Sequence, residues 1–196
     1  MQLGHSKPEI GLPVLEPLFI PSWAINLQGI KQSYRNYKMW GLTNITSMRV
    51  DMNFEARILE IEAQFLDVKG EFEYEMHGRL LIMELNGKGP GFVNFVKPNA
   101  TLTFKLGEYE KRRKKHYKVT GSKLVVAPQS VSANFDNIIN GDKELSDNIN
   151  KMFNDNWKGL FEEIGPTYED ACAQVFQGIF NRVLSKVPVD ELFGGE

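Results

Sequence analysis

Residues 135–166 read FDNIINGDKELSDNINKMFNDNWKGLFEEIGP, and the fold turns on how they are read. Asn140-Gly141-Asp142 supplies a turn and a helix start signal. Behind it Leu145, Ile149, Met152, Phe153, Trp157, Leu160, Phe161 and Ile164 share one broad side at helical spacing. Gly165-Pro166 predicts a break, because proline lacks an amide donor and its ring collides with the preceding turn. Beyond it Tyr168, Ala171, Cys172, Val175, Phe176, Ile179, Phe180, Val183, Leu184 and Val187 continue the three-and-four spacing to a stop at Val187-Pro188. So wide an apolar face needs a surface to lie on.

The surface is upstream. Prolines 8, 13, 17 and 21 make an extended apolar lead-in. Period-two alternation then takes over. Val50, Met52, Phe54 and Ala56 face away from Arg49, Asp51, Asn53 and Glu55, and Leu59, Ile61, Ala63 and Phe65 away from Glu60, Glu62 and Gln64. Phe72, Tyr74 and Met76 oppose Glu71, Glu73 and Glu75, and Leu102, Phe104, Leu106, Val131, Ala133 and Phe135 extend the pattern. This predicts one long antiparallel sheet with a wet face and an apolar face. NGKGPG (86–91) and the charged stretch at 111–115 read as turns between strands. Sheet and helix satisfy each other if the sheet curls around the helix. The expectation is an α+β fold, a long curved antiparallel sheet rolled around a long C-terminal helix, as one domain over residues 1–196. The 13 phenylalanines and the unbranched inward residues are compatible with an interior cavity, a well-filled core being the plainer reading.

Catalytic chemistry finds no support. His5, His77 and His116 stand far apart, without metal-site spacing. Neither a nucleophile elbow nor a phosphate-cradling loop occurs, since Gly87-Lys88-Gly89-Pro90-Gly91 matches one only in its glycines. Cys172, the single cysteine, sits among apolar helix positions as a small hydrophobe and has no disulfide partner in the chain. Glu71, Glu73 and Glu75 share a solvated face. The expectation is therefore no enzyme, no cofactor and no metal. A net charge of −2 gives no field for nucleic acid, and no apolar run approaches the length of a membrane span. The start, MQLGHSKPEIG, lacks the basic end and apolar stretch of a secretory signal. Asn44-Ile45-Thr46 and Asn99-Ala100-Thr101 are glycosylation sequons. Lys111, Arg112, Arg113, Lys114 and Lys115 form the one strong local charge, either a soluble hairpin tip or a contact for a receptor or anionic lipid surface.

Five segments in order carry a family likeness: GLPVLEPLFIP (11–21), WGLTN (40–44), NGDKELSD (140–147), FNDNWK (153–158) and FNRVLSKVPVDELF (180–193). Together, across nearly all of Pro8 to Phe193, they resemble the insect haemolymph juvenile-hormone-binding and takeout-like proteins. The resemblance implies a tubular lipid-binding fold, with a rolled sheet and long helix enclosing an apolar tunnel for a juvenile hormone-like terpenoid, fatty acid or related lipid. It implies a secreted, non-catalytic carrier, monomeric, with no nucleic-acid partner and no stable membrane insertion. The alternative is a protein-interaction or membrane-surface module using the basic tip. Members of the family begin with a signal peptide and a cysteine-paired segment containing a short helix. This chain starts at the proline-rich stretch, so the expectation is a domain without that segment and with one tube end open. The family lines its tunnel with variable apolar positions, for which the candidates here are Phe54, Phe65, Phe72, Tyr74, Met76, Phe104, Leu106, Phe135, Phe153, Trp157, Phe176 and Phe180. Each also fits a plain core role, and Trp157 a structural anchor. Tyr117 resembles a hydroxyl that orients a polar group of juvenile hormone, the other reading being an outward strand tyrosine.

Overall fold

The computed structural model describes residues 6–27, 29–80 and 83–193. The strands are β1 (Leu18–Leu27), β2 (Ile30–Trp40), β3 (Ile45–Asn53), β4 (Ile58–Phe65), β5 (Asp67–Leu80), β6 (Met83–Val96), β7 (Asn99–Lys111), β8 (Lys114–Ala127) and β9 (Ser130–Phe135). The helices are α1 (Lys143–Asp155), α2 (Trp157–Leu184) and α3 (Val189–Phe193). The single expected sheet is two, both antiparallel: β1-β2-β5-β6-β9 and β3-β4-β7-β8. The chain turns directly from one to the other at Leu66, at Lys97-Pro98 and at Pro128-Gln129. Prolines 98 and 128 donate nothing to a ladder, and the corner is held by Phe65 N–H to Pro98 O, Lys97 N–H to Leu66 O and Gln129 N–H to Val96 O. Alternation continues across such a corner, so periodicity does not reveal it.

NGKGPG is not a turn. It lies inside β6, where Gly87, Gly89 and Gly91 stand directly opposite Met76, Tyr74 and Phe72 of β5. The space beside Gly87 and Gly89 is filled by the chain after β9, with Ile138 fully buried there. A Cβ on Gly87 would meet the Asn137 carbonyl oxygen at 2.1 Å, and one on Gly91 the Phe72 ring at 2.6 Å. Gly87→Ala is therefore expected to cost about 1–3 kcal/mol by overpacking against backbone, read as a lowered urea midpoint. An unchanged midpoint would mean that residues 136–138 move away freely. Pro90 is tolerated because its ladder side faces the segment beyond β9, where its carbonyl accepts from Asp136 N–H.

Asp142 caps α1, its carboxylate accepting from Leu145 N–H at 2.9 Å. The predicted break at Gly165-Pro166 is absent, because α2 runs through Pro166 as one helix of 28 residues. Pro166 is exposed, as is Glu162, whose carbonyl would have been its partner and can turn to water. The interruption instead falls at Asn156, with φ −114° and ψ 22°. Leu145, placed on the apolar stripe, is exposed, while Ile149, Phe153 and Ile164 pack inward.

Side-chain amides and one carboxylate seal the sheet edges to the helices. On α1, Asn150 accepts from Phe135 N–H at 2.9 Å and donates to its carbonyl at 3.0 Å. Asn154 does the same to Ala133, at 2.8 and 2.9 Å. At spacing i, i+4 the two asparagines take the place of a neighbouring strand along β9. On α2, Glu169 accepts from Val126 N–H and Asn181 from Val119 N–H, both at 2.7 Å. Both bonds lie along β8, the edge strand of the four-stranded sheet. These bonds satisfy ladder groups that an edge would leave open.

Two apolar clusters result. The first joins the five-stranded sheet to α1 and to α2 from Ile164 to Ile179. The second joins the four-stranded sheet to the second half of α2, with Phe104 at 0% exposure and its ring 4.6 Å from that of Phe180, tilted by 52°. Cys172 and Phe176, midway along α2, touch both.

Candidate ligand cavity

The two halves differ in filling. Beneath the five-stranded sheet, where α1 passes into α2, lies a cavity of about 200 Å³. A water occupies ~30 Å³ in the liquid, so this is several molecules in size and not a packing defect. Its floor is aromatic, with Phe72 stacked on Tyr37 at 5.2 Å and edge-on to Tyr34 at 5.0 Å. Phe135 lies 5.7 Å from Phe72 and 6.4 Å from Phe153. The roof comes from α1 and α2: Phe153, Trp157, Leu160, Phe161, Ile164, Tyr168 and Cys172. No charged residue lines it among the described residues.

Of the candidates drawn from sequence, Phe72, Met76, Phe135, Phe153 and Trp157 meet at this cavity. Tyr74 is buried just behind it, in edge contact with Phe135 and donating to the Asp136 carbonyl at 2.8 Å. Phe104, Leu106, Tyr117 and Phe180 belong to the second cluster, and Phe176 bridges the two. Phe65 is half-buried near the corner between the sheets, in a separate recess with Gln64, Lys97 and Asn99. Phe54 is a correction. It lies in the β3–β4 turn at 56% exposure, and Val50 on β3 is 55% exposed. β3 is an edge strand, and among its residues only Ile45 and Met52 are partly covered.

Sequence reasoning missed the cavity's polar corner. Tyr34 donates to Gln32 Oε1 at 2.7 Å, Tyr168 donates to the same oxygen, and the two hydroxyls stand 3.2 Å apart. Burial raises both tyrosine pKa values above the ordinary range, so the hydroxyls stay protonated. The available signal was Gln32 and Tyr34 at i, i+2 on the apolar face of β2. Cys172 also borders the cavity, its thiol pushed up to about 12 by burial, which disfavours a thiolate nucleophile.

Outside the cavity, Glu71, Glu73 and Glu75 occupy the outer face with cationic or amide partners, Lys69 holding the Glu71 carboxyl below its usual range. The basic tip is a two-residue hairpin with Arg112 and Arg113 at φ 52° and 62°. Lys111 donates to the Ser185 carbonyl at 2.7 Å and Lys114 pairs with Glu191 at 3.0 Å. His116 bonds the Leu184 carbonyl at 2.9 Å. Part of that charge thus completes the C-terminal end of α2. His77 binds Glu75 and Asn86 on the far sheet, and His5 lies outside the described residues.

Antiparallel sheets wrapped on one long helix, hollow on one side, define an architecture with a close counterpart. The crystal structure of Epiphyas postvittana Takeout 1 superposes with a TM-score of 0.80 at 24% identity, covering 96% of this chain and 88% of that one. The Haemolymph juvenile hormone binding protein family matches residues 1–194, and this chain belongs to it. Circadian clock-controlled protein daywake of Drosophila melanogaster is 26% identical over 206 residues, 96% of this chain and 77% of the relative. Its Drosophila yakuba counterpart is 24% identical over the same shares. The family is one of binding proteins.

Proposed function

We propose that this protein is a non-catalytic carrier that shelters one small lipophilic molecule in the cavity beneath the five-stranded sheet and acts outside the cell. One observation carries the reading: a space of about 200 Å³ bounded mostly by aromatic and aliphatic side chains, with no charge among the described residues that line it. Such a site gives binding energy through apolar burial and offers nothing to activate a bond. Phe72, Met76, Phe135, Phe153 and Trp157 form the apolar contacts. A juvenile hormone-like terpenoid, a fatty acid or a related lipid suits the space.

A fluorescent terpenoid or fatty-acyl probe is expected to bind saturably at about one per chain. Competitors should tighten with length, up to ~0.8 kcal/mol per added methylene, or about fourfold, until the space is filled. Ala133→Phe, which narrows the cavity from β9, should weaken long competitors more than short ones. Fluorescence titration reads all three. Absence of saturable uptake by the folded protein overturns the carrier reading.

A further inference from the structure

We propose that Gln32 is the head-group anchor of the cavity, and that the molecule it selects is a neutral lipid presenting a carbonyl oxygen. This rests on the carrier reading and narrows it. Gln32 is 5% exposed and lines a largely apolar space. Its amide oxygen is already occupied by the Tyr34 and Tyr168 hydroxyls, one from β2 and one from α2. Its amide nitrogen has no partner among the described residues. A buried amide normally finds partners for both ends. Tyr34 and Tyr168 therefore act as positioning residues that hold the oxygen and leave the N–H₂ as the end available to a ligand.

A second donor stands close by. Trp23 borders the cavity directly across the β1–β2 ladder from Tyr34, and its indole N–H is buried without a partner among the described residues. Asn154 also lines the cavity, but both ends of its amide are used on Ala133. Gln32 N–H₂ and Trp23 N–H are thus two donors at the cavity without a partner among the described residues, and a carbonyl oxygen is what they lack. An ionised carboxylate fits worse, since no lysine, arginine or histidine among the described residues lines the cavity to offset its desolvation. The preferred class is a long-chain ester, ketone or aldehyde.

The test is a competition series at one chain length: a methyl ester, the corresponding hydrocarbon, and the free acid at several pH values. In the unmodified protein the ester should bind about tenfold tighter than the hydrocarbon, the range of one buried hydrogen bond. The acid should weaken as pH rises through its own ionisation. Gln32→Leu should abolish the ester preference, with folding verified by circular dichroism and a melting curve. Trp23→Phe should reduce the preference partially. Equal ester and hydrocarbon affinity in the unmodified protein overturns the anchor and leaves the carrier intact, as does a preference that survives Gln32→Leu. Acid affinity that stays level across pH overturns the neutral-ligand claim. Failure of every compound to bind overturns the carrier reading, and the anchor with it.

Discussion

Phe104→Ala is expected to lower the free energy of unfolding by about 3–5 kcal/mol, the range for deleting a buried aromatic ring. Phe104 has no exposure and packs on Phe180 in the half of the molecule under the four-stranded sheet. Removing its ring opens a new void among side chains that already fill their space. Phe153→Ala should cost clearly less. Phe153 is half-buried and borders the existing cavity, so its ring gives up fewer contacts. Urea unfolding of the two variants measures the difference. Equal losses would mean that the two halves are packed alike and that the hollow is not a property of the folded chain.

Asn150→Ala should cost about 2–4 kcal/mol, because it strands both the Phe135 N–H and carbonyl under α1. Hydrogen exchange should locate the loss, with faster exchange at the Phe135 amide than at strands remote from α1. A loss below about 0.5 kcal/mol would make the asparagine seal ornamental. Asn150→Asp gives a signed companion test. The carboxylate still accepts from Phe135 N–H, but its second oxygen replaces an amide that donates to the Phe135 carbonyl. Only the protonated acid restores that bond, so its folded-state pKa rises above the unfolded value. The folded state then holds the proton more tightly, and the variant is most stable at low pH. It should lose stability as pH climbs past the ordinary carboxylate range, which melting curves across pH will show.

The basic tip shows why local charge is a poor guide to function. On sequence alone Lys111 to Lys115 reads as a solvated tip or a contact for a receptor or anionic surface. In the fold Lys111 and Lys114 have intramolecular work, one on the carbonyl of Ser185 and one on Glu191 in α3. Nothing in the spacing of the run signals partners more than seventy residues away. The glycine-rich stretch at 86–91 is the opposite case, because its signal was present. Gly87, Gly89 and Gly91 alternate with period two, opposite three bulky residues on β5, and glycine count obscured that alternation.

By itself the sequence determined the faces. Period-two alternation in β4, β5 and β7 and the helical stripes of α1 and α2 place Leu59, Phe72, Phe104, Ile149 and Ile179 inward. Asp142 marked the helix start for the same local reason, since a capping carboxylate needs only the next turn of its own chain. Tertiary structure decided the rest. Periodicity says which side of an element is apolar, but the filling of the space between two apolar sides depends on volumes contributed by distant segments. Hence Phe104 and Phe72, equivalent in pattern, ended in a filled core and on a cavity wall. The helix break moved from Pro166 to Asn156 because a missing donor on an exposed turn is tolerated where the apolar stripe on either side stays packed. The Gln32 corner exists only because α2 brings Tyr168 over β2, 136 residues along the chain. No local pattern encodes such a meeting.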